Sequence, residues 1–196
     1  MRRRIWRGWI LCLCACLLLC GAASGTGSTP LDAVSRGAFA DALYDAHVAH
    51  GGAPVVSEGS SAPFRDVGSW SPYFEALCWA KASGIAGGYA GGAFRPAAPV
   101  TRQQATVMLY RYAKTTDLPL EKGSDRDLAG YRDADTIPTW SREAVQWAVR
   151  NGLWFSGSAT ELQAAENVSW EGCEEFFARK DQTLATLSRT FGLTSQ

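Results

Sequence analysis

Two arginines occupy the same place in a repeated frame. Val34-Ser35-Arg36 and Val100-Thr101-Arg102 each precede apolar residues at helical spacing, and a Ser or Thr just ahead of such a run is a helix N-cap. Thr101, with Gln104 three positions on, predicts a capping box in which the hydroxyl accepts a backbone amide and the Gln side chain returns to the cap. Arg36 and Arg102 then stand at the first helical position beside backbone amides that the helix leaves unpaired, where its dipole favours an anion. A carboxylate arriving there could be gripped by the guanidinium fork and the amides together, each charge-assisted bond contributing roughly 1.5–3 kcal/mol. The alternative is that both arginines are solvated or form structural ion pairs with Asp66 or Asp133.

Aromatic and glycine residues accompany these arginines, offering ring faces for an apolar surface and open backbone for close approach. Gly88, Tyr89 and Trp79 fill these roles, and Trp79 is equally suited to a plain core position. The run from Gly87 to Phe94 is too glycine-rich for a helix and reads as a tight turn. Catalytic and metal signals are weak. His47 and His50 lack an accompanying Cys or acid cluster, and adjacent Glu174 and Glu175 read as a solvated face. No nucleophile elbow, phosphate loop or dinucleotide fingerprint occurs, so neither an enzyme nor a cofactor is expected.

The elements that would hold these residues are repeats. Gly84-Ile85 through Val100 recurs 68 positions later as Gly152-Leu153 through Val168, and Ala76, Trp79 and Ala80 recur as Ala144, Trp147 and Ala148. Tyr73 to Ser83 and a stretch around Ala144–Val149 carry helical stripes that end at Gly84 and Gly152 as C-terminal glycines. A second helix starts at Thr101 with Ala105, Met108, Leu109 and Tyr112 inward. Upstream, residues 34 to about 47 form the closing helix of a copy whose opening half is absent. The spacer His50 to Pro63 and the polar stretch Thr115 to Leu128 read as loops. Such units leave an apolar face open until they stack, which predicts one mainly α domain with approximate threefold repetition and a truncated first repeat.

The divisions are 1–23, 24–50, 64–114, 131–180 and a closing helix at 181–196. The first has a charged start, an apolar run from Trp9 to Cys20 and a small-residue stretch, the order of a secretory signal cleaved after Ala23. That run is shorter than the roughly 20 residues of a membrane span, and Leu19 argues against lipid attachment at Cys20. Removing the signal takes four of 19 basic residues and none of 19 acids. The remainder is mildly acidic, which gives no support for nucleic acid or an anionic membrane as partner. Only Cys78 and Cys173 then remain, both on helices among apolar residues and suited to be buried thiols.

The order aromatic-x-Asp (Phe64-Arg65-Asp66, Tyr131-Arg132-Asp133), Trp79-Ala80, Gly84-Ile85-x-x-Gly88-Tyr89, Phe94-x-Pro96, Val100-Thr101-Arg102 and Met108-Leu109-Tyr110-Arg111 resembles the S-layer homology (SLH) domain. The resemblance covers 64–113 strongly, 131–180 clearly and 31–47 in part. It implies a pseudo-threefold helical bundle whose inter-repeat grooves bind a secondary cell wall polysaccharide, commonly pyruvylated, at the bacterial cell wall or S-layer surface. The ligand-contacting residues it implies are Ser35, Arg36, Asp66, Trp79, Gly88, Tyr89, Thr101, Arg102 and Asp133, with Arg102 contributing more than Arg36. The chain departs from the pattern at Gly91, where the family has Asp, and at Trp170, where it has Arg. Trp154-Phe155-Ser156-Gly157 replaces the glycine-tyrosine turn, so at most two grooves would work. The same three aromatics, Trp154, Phe155 and Trp170, support a second reading, a drifted scaffold that contacts another envelope protein. A wall-active glycan hydrolase is the least favoured reading.

Overall fold

Three valines close a ring of backbone hydrogen bonds at the centre of the molecule. Val34 donates its amide to the Val168 carbonyl at 2.8 Å, Val100 to Val34 at 2.9 Å and Val168 to Val100 at 2.9 Å. All three are buried. Each stands just before a helix, so the cycle gathers three helix starts around one axis. The computed structural model describes residues 32–49, 51–52, 61–115, 121–155, 158–175 and 177–178. The signal-like segment, His50 and the proposed closing helix lie outside the described residues.

The helices are α1 (Arg36–Ala49), α2 (Phe74–Ala82), α3 (Arg102–Thr115), α4 (Asp125–Leu128) and α5 (Thr139–Arg150), with a 3-10 turn at Ala134–Thr136. Helical residues 170–175 follow Ser169. Isolated bridges are the only β pairing among the described residues, so the fold is mainly helical, a helical bundle of the type the sequence predicts. The three helix starts share one cap chemistry. Ser35 Oγ accepts the Ala38 amide at 3.1 Å, Thr101 Oγ1 the Gln104 amide at 3.4 Å, and Ser169 Oγ the Gly172 amide at 3.1 Å. Gln104 completes the box by accepting the Thr101 amide at 3.3 Å.

Helix α1 packs on α2 and on α3, and α3 packs on α5. Phe39, Leu43, Leu77, Trp79, Val100, Leu109, Trp147 and Leu162 are buried in one apolar cluster, and burial of such side chains supplies the main driving force for the fold. Gly84 and Gly152 end α2 and α5 at φ 70° and 67°, a left-handed conformation open to glycine at little cost. Cys78 and Cys173 are free and buried.

One stretch departs from the loop expected between Thr115 and Leu128. Its last residues form α4, because Ser124 and Asp127 make a capping box and Leu128 is buried. Asp125 then accepts Arg142 Nη2 at 2.8 Å and Gln146 Nε2 at 2.9 Å, which fastens this segment to the outer face of α5.

Candidate functional site

Each helix start hands its amides to a neighbouring segment. Arg36 N donates to Ala98 O at 2.8 Å and Gly37 N to Pro96 O at 2.9 Å. Arg102 N and Gln103 N donate to Glu166 O and Ala164 O at 2.8 and 3.0 Å, and Trp170 N to Asp32 O at 3.0 Å. The free amides that the sequence suggested beside Arg36 and Arg102 are therefore occupied. Carbonyls distant in sequence, some 60 residues away for Arg36, Gly37, Arg102 and Gln103, satisfy the donors that the helix leaves open. What remains for an anion is the side chains.

The carbonyls that meet Arg36, Gly37, Arg102 and Gln103 lie on two loops built alike. Asp66 accepts the Phe94 and Arg95 amides, both at 2.7 Å, and Asp133 accepts the Leu162 and Gln163 amides at 2.8 and 2.7 Å. Each carboxylate thereby clamps a non-glycine residue held at positive φ, Arg95 at 59° and Gln163 at 50°. Burial alone would raise the Asp66 pKa, but the Phe94 and Arg95 amides outweigh it and hold the carboxyl below the ordinary Asp range. Asp66 and Asp133 are thus engaged with backbone and form no ion pair with Arg36 or Arg102 among the described residues.

Arg36 is only 6% exposed. Its Nε donates to Phe94 O at 3.0 Å, and its guanidinium carbon lies 4.5 Å from the Phe94 ring centroid and 4.9 Å from that of Tyr89. Arg95 covers Tyr89 as well, at 4.5 Å. Burial pushes the Arg36 pKa down, yet a guanidinium stays protonated at any physiological pH. The buried charge is held by a carbonyl and by aromatic faces.

These residues form one wall of a cleft of about 350 Å³. Arg36 comes from α1, Gly87, Gly88 and Tyr89 from the loop after α2, Gln104, Met108 and Arg111 from α3, and Trp140 from the first turn of α5. Gln104 Nε2 donates to Tyr89 Oη at 3.1 Å, so the capping residue also fixes the tyrosine. The absent side chain of Gly88 is a packing requirement, since a Cβ there would sit 3.0 Å from Ala93 O and 3.1 Å from the Phe64 ring. Sequence reasoning passed over Gln104, Arg111 and Trp140 as cleft residues. The spacing 104, 108, 111 on α3 is the signal for two of them, because such positions share a helix face.

The structure brings Arg36, Gly88 and Tyr89 together and leaves other expected site residues elsewhere. Trp79 is 2% exposed, stacked against His47 at 5.1 Å and Tyr44 at 5.4 Å. It is core, as its apolar surface demands. Ser35 and Thr101 act as caps, and Asp66 and Asp133 as loop clamps. Arg102 is half-buried. Its Nη1 donates to Gln163 Oε1 at 2.9 Å and Leu162 O at 3.3 Å, and burial lowers its pKa.

At the position equivalent to Gly87 stands Phe155, 2% exposed, edge-on to Phe39 at 6.2 Å. Trp154 is also buried. The apolar surface imagined from Trp154 and Phe155 is therefore interior, and of that trio only Trp170 is exposed, at 42%.

The S-layer homology domain family model matches residues 63–106, which include Asp66, the Gly87-Gly88-Tyr89 turn, Thr101 and Arg102. Over this segment the chain is similar to an S-layer homology domain. No curated protein matches the chain. SLH domains are non-catalytic modules that anchor to the bacterial cell surface by binding cell-wall polymers. Arg36, the most enclosed cation of the cleft, lies outside the matched segment. The cleft is thus completed by a helix from beyond the matched SLH segment.

Proposed function

We propose that this chain attaches noncovalently to a secondary cell wall polysaccharide bearing pyruvylated sugars, through the cleft between α1 and the Gly87–Tyr89 turn. It is a binding module throughout, directed to the envelope by its signal-like amino-terminal segment. The supporting repeats are 24–50, 64–114 and 131–180. The observation that carries this reading is a guanidinium enclosed in a cleft that no Asp or Glu lines. Arg36 spends one nitrogen on Phe94 O, and its two terminal amino groups make no hydrogen bond among the described residues. A carboxylate fits that fork bidentately, while Tyr89 and the exposed Gly87-Gly88 backbone serve the ring face and hydroxyls of the sugar.

The same reasoning makes the groove beside Arg102 the lesser site. Gln163 and Leu162 take its guanidinium, and Phe155 fills the place that Gly87 leaves open. On this reading Arg36, and not Arg102, is the principal ligand residue, and of the at most two grooves expected one is the main site.

The test is co-sedimentation of the full chain with purified walls, intact or stripped of acid-labile polysaccharide. Retention on intact walls should fall about tenfold or more in Arg36→Gln, equivalent to about 1.4 kcal/mol, and by less than about twofold in Arg102→Gln. Arg36→Lys, which keeps the charge and loses the fork, should also fall. Equal retention on stripped walls would favour the scaffold reading and remove this one.

A further inference from the structure

The cleft is larger than the Arg36 corner, and its far end has chemistry of its own. Arg111 belongs to α3, is exposed, and makes one long hydrogen bond, Nη1 to Ile85 O at 3.4 Å. It joins no salt bridge among the described residues. Its guanidinium stands over the turn, since a Cβ built on Gly87 would lie 3.5 Å from Nη1, an ordinary contact. Trp140 projects from α5 with 57% of its surface exposed, a large aromatic face suited to the flat C–H face of a sugar. Met108 and Val107 supply apolar surface to the same lining. Asp66 acts on Arg36 from outside the lining and solvent reaches Arg111, but the lining itself carries two guanidiniums and no carboxylate, a charge balance that favours a ligand with more than one anionic group.

We infer that the Arg111–Trp140 end is a second subsite, for the sugar adjoining the acidic residue held at Arg36. Trp140 stacks on its pyranose face, and Arg111 takes a second anionic substituent. The ligand class is then a multiply acidic oligosaccharide. This rests on the polysaccharide reading above and adds to it a footprint of at least two sugars.

The experiment is isothermal titration of the full chain with two probes: the methyl glycoside of a pyruvylated hexose, and the disaccharide in which that sugar is linked to a uronic acid. The disaccharide should bind the unmodified chain about tenfold more tightly, and Arg111→Gln or Trp140→Ala should each remove most of that gain. Both variants should leave the monosaccharide within about twofold, while Arg36→Gln weakens both probes. Trp140 and Arg111 are exposed, so circular dichroism should show both variants folded. Equal affinity for the two probes, or parallel loss of both in Arg111→Gln and Trp140→Ala, would overturn the second subsite while leaving the Arg36 site standing. Failure of the unmodified chain to bind either probe would overturn both readings together.

Discussion

Replacing Asp66 with Asn probes the clamp that shapes the cleft. The carboxylate accepts two backbone amides at 2.7 Å each, and hydrogen bonds to a charged acceptor contribute roughly 1.5–3 kcal/mol apiece. Asn retains one neutral acceptor but turns its NH2 group toward the other amide, so the loss is about 2–3 kcal/mol rather than twice the single-bond value. Against a domain stability of roughly 5–15 kcal/mol this lowers the melting temperature by about 5–10 °C. Urea unfolding followed by circular dichroism at pH 7 measures it. Asp133→Asn is the matched control, with amides at 2.8 and 2.7 Å, and should cost the same within about 0.5 kcal/mol.

The two variants should part company in binding. Asp66 holds the loop whose Phe94 carbonyl receives Arg36, whereas Asp133 holds the loop beside Arg102, so only Asp66→Asn should weaken wall retention. The Asp66 pKa is held below the ordinary value by the Phe94 and Arg95 amides against the opposing effect of burial. Its contribution is therefore present above the ordinary carboxylate pKa and lost as pH falls through the folded one, and the gap between wild type and Asp66→Asn should narrow as the pH is lowered below the ordinary carboxylate pKa. A stability change under about 0.5 kcal/mol at pH 7, or identical binding by the two variants, would refute the clamp argument.

Asp41 titrates in the opposite sense. Burial, with Asp45 and Glu75 nearby, pushes its carboxyl up to about 6, so the folded state gains stability as pH falls through 6 and loses it as pH rises. After discounting for its partial exposure, Asp41→Asn should stabilise the chain by about 1 kcal/mol at pH 8 and change little at pH 4, as read by thermal melts. Thr106 Oγ1 is buried without a hydrogen-bond partner, and Thr106→Val should raise stability by about 1 kcal/mol in the same urea assay. Gly88→Ala places a methyl 3.0 Å from Ala93 O; it should destabilise by about 1–3 kcal/mol and reduce wall retention through displacement of Tyr89.

Much of the architecture is legible in residue order because it depends on local chemistry repeated three times. Ser35, Thr101 and Ser169 are caps by their side-chain oxygens alone, and Gly84 and Gly152 mark helix ends because few other residues tolerate φ near 70°. The site was harder to read because its decisive contacts are long-range. Nothing in Val100-Thr101-Arg102 shows that the Arg102 amide will meet Glu166 O, and that bond takes up the backbone donor the cap pattern leaves open. Trp79 and Phe155 illustrate a second gap. An aromatic residue beside a turn suits a sugar face and a core equally well until its neighbours are known, and here Tyr44, His47 and Tyr112 enclose the first while Phe39 and Trp154 enclose the second.

The central claim is that Arg36 holds an acidic sugar in the cleft. The most direct measurement is a binding isotherm of the full chain with purified secondary wall polysaccharide, before and after mild acid removal of its pyruvyl ketals, for the unmodified chain and for Arg36→Gln. Saturable binding with one site per chain, weakened about tenfold or more by removing either the ketal or the guanidinium and little further by removing both, is the predicted result. Undiminished affinity for the polysaccharide without its ketals, or for the Arg36→Gln chain, would contradict it.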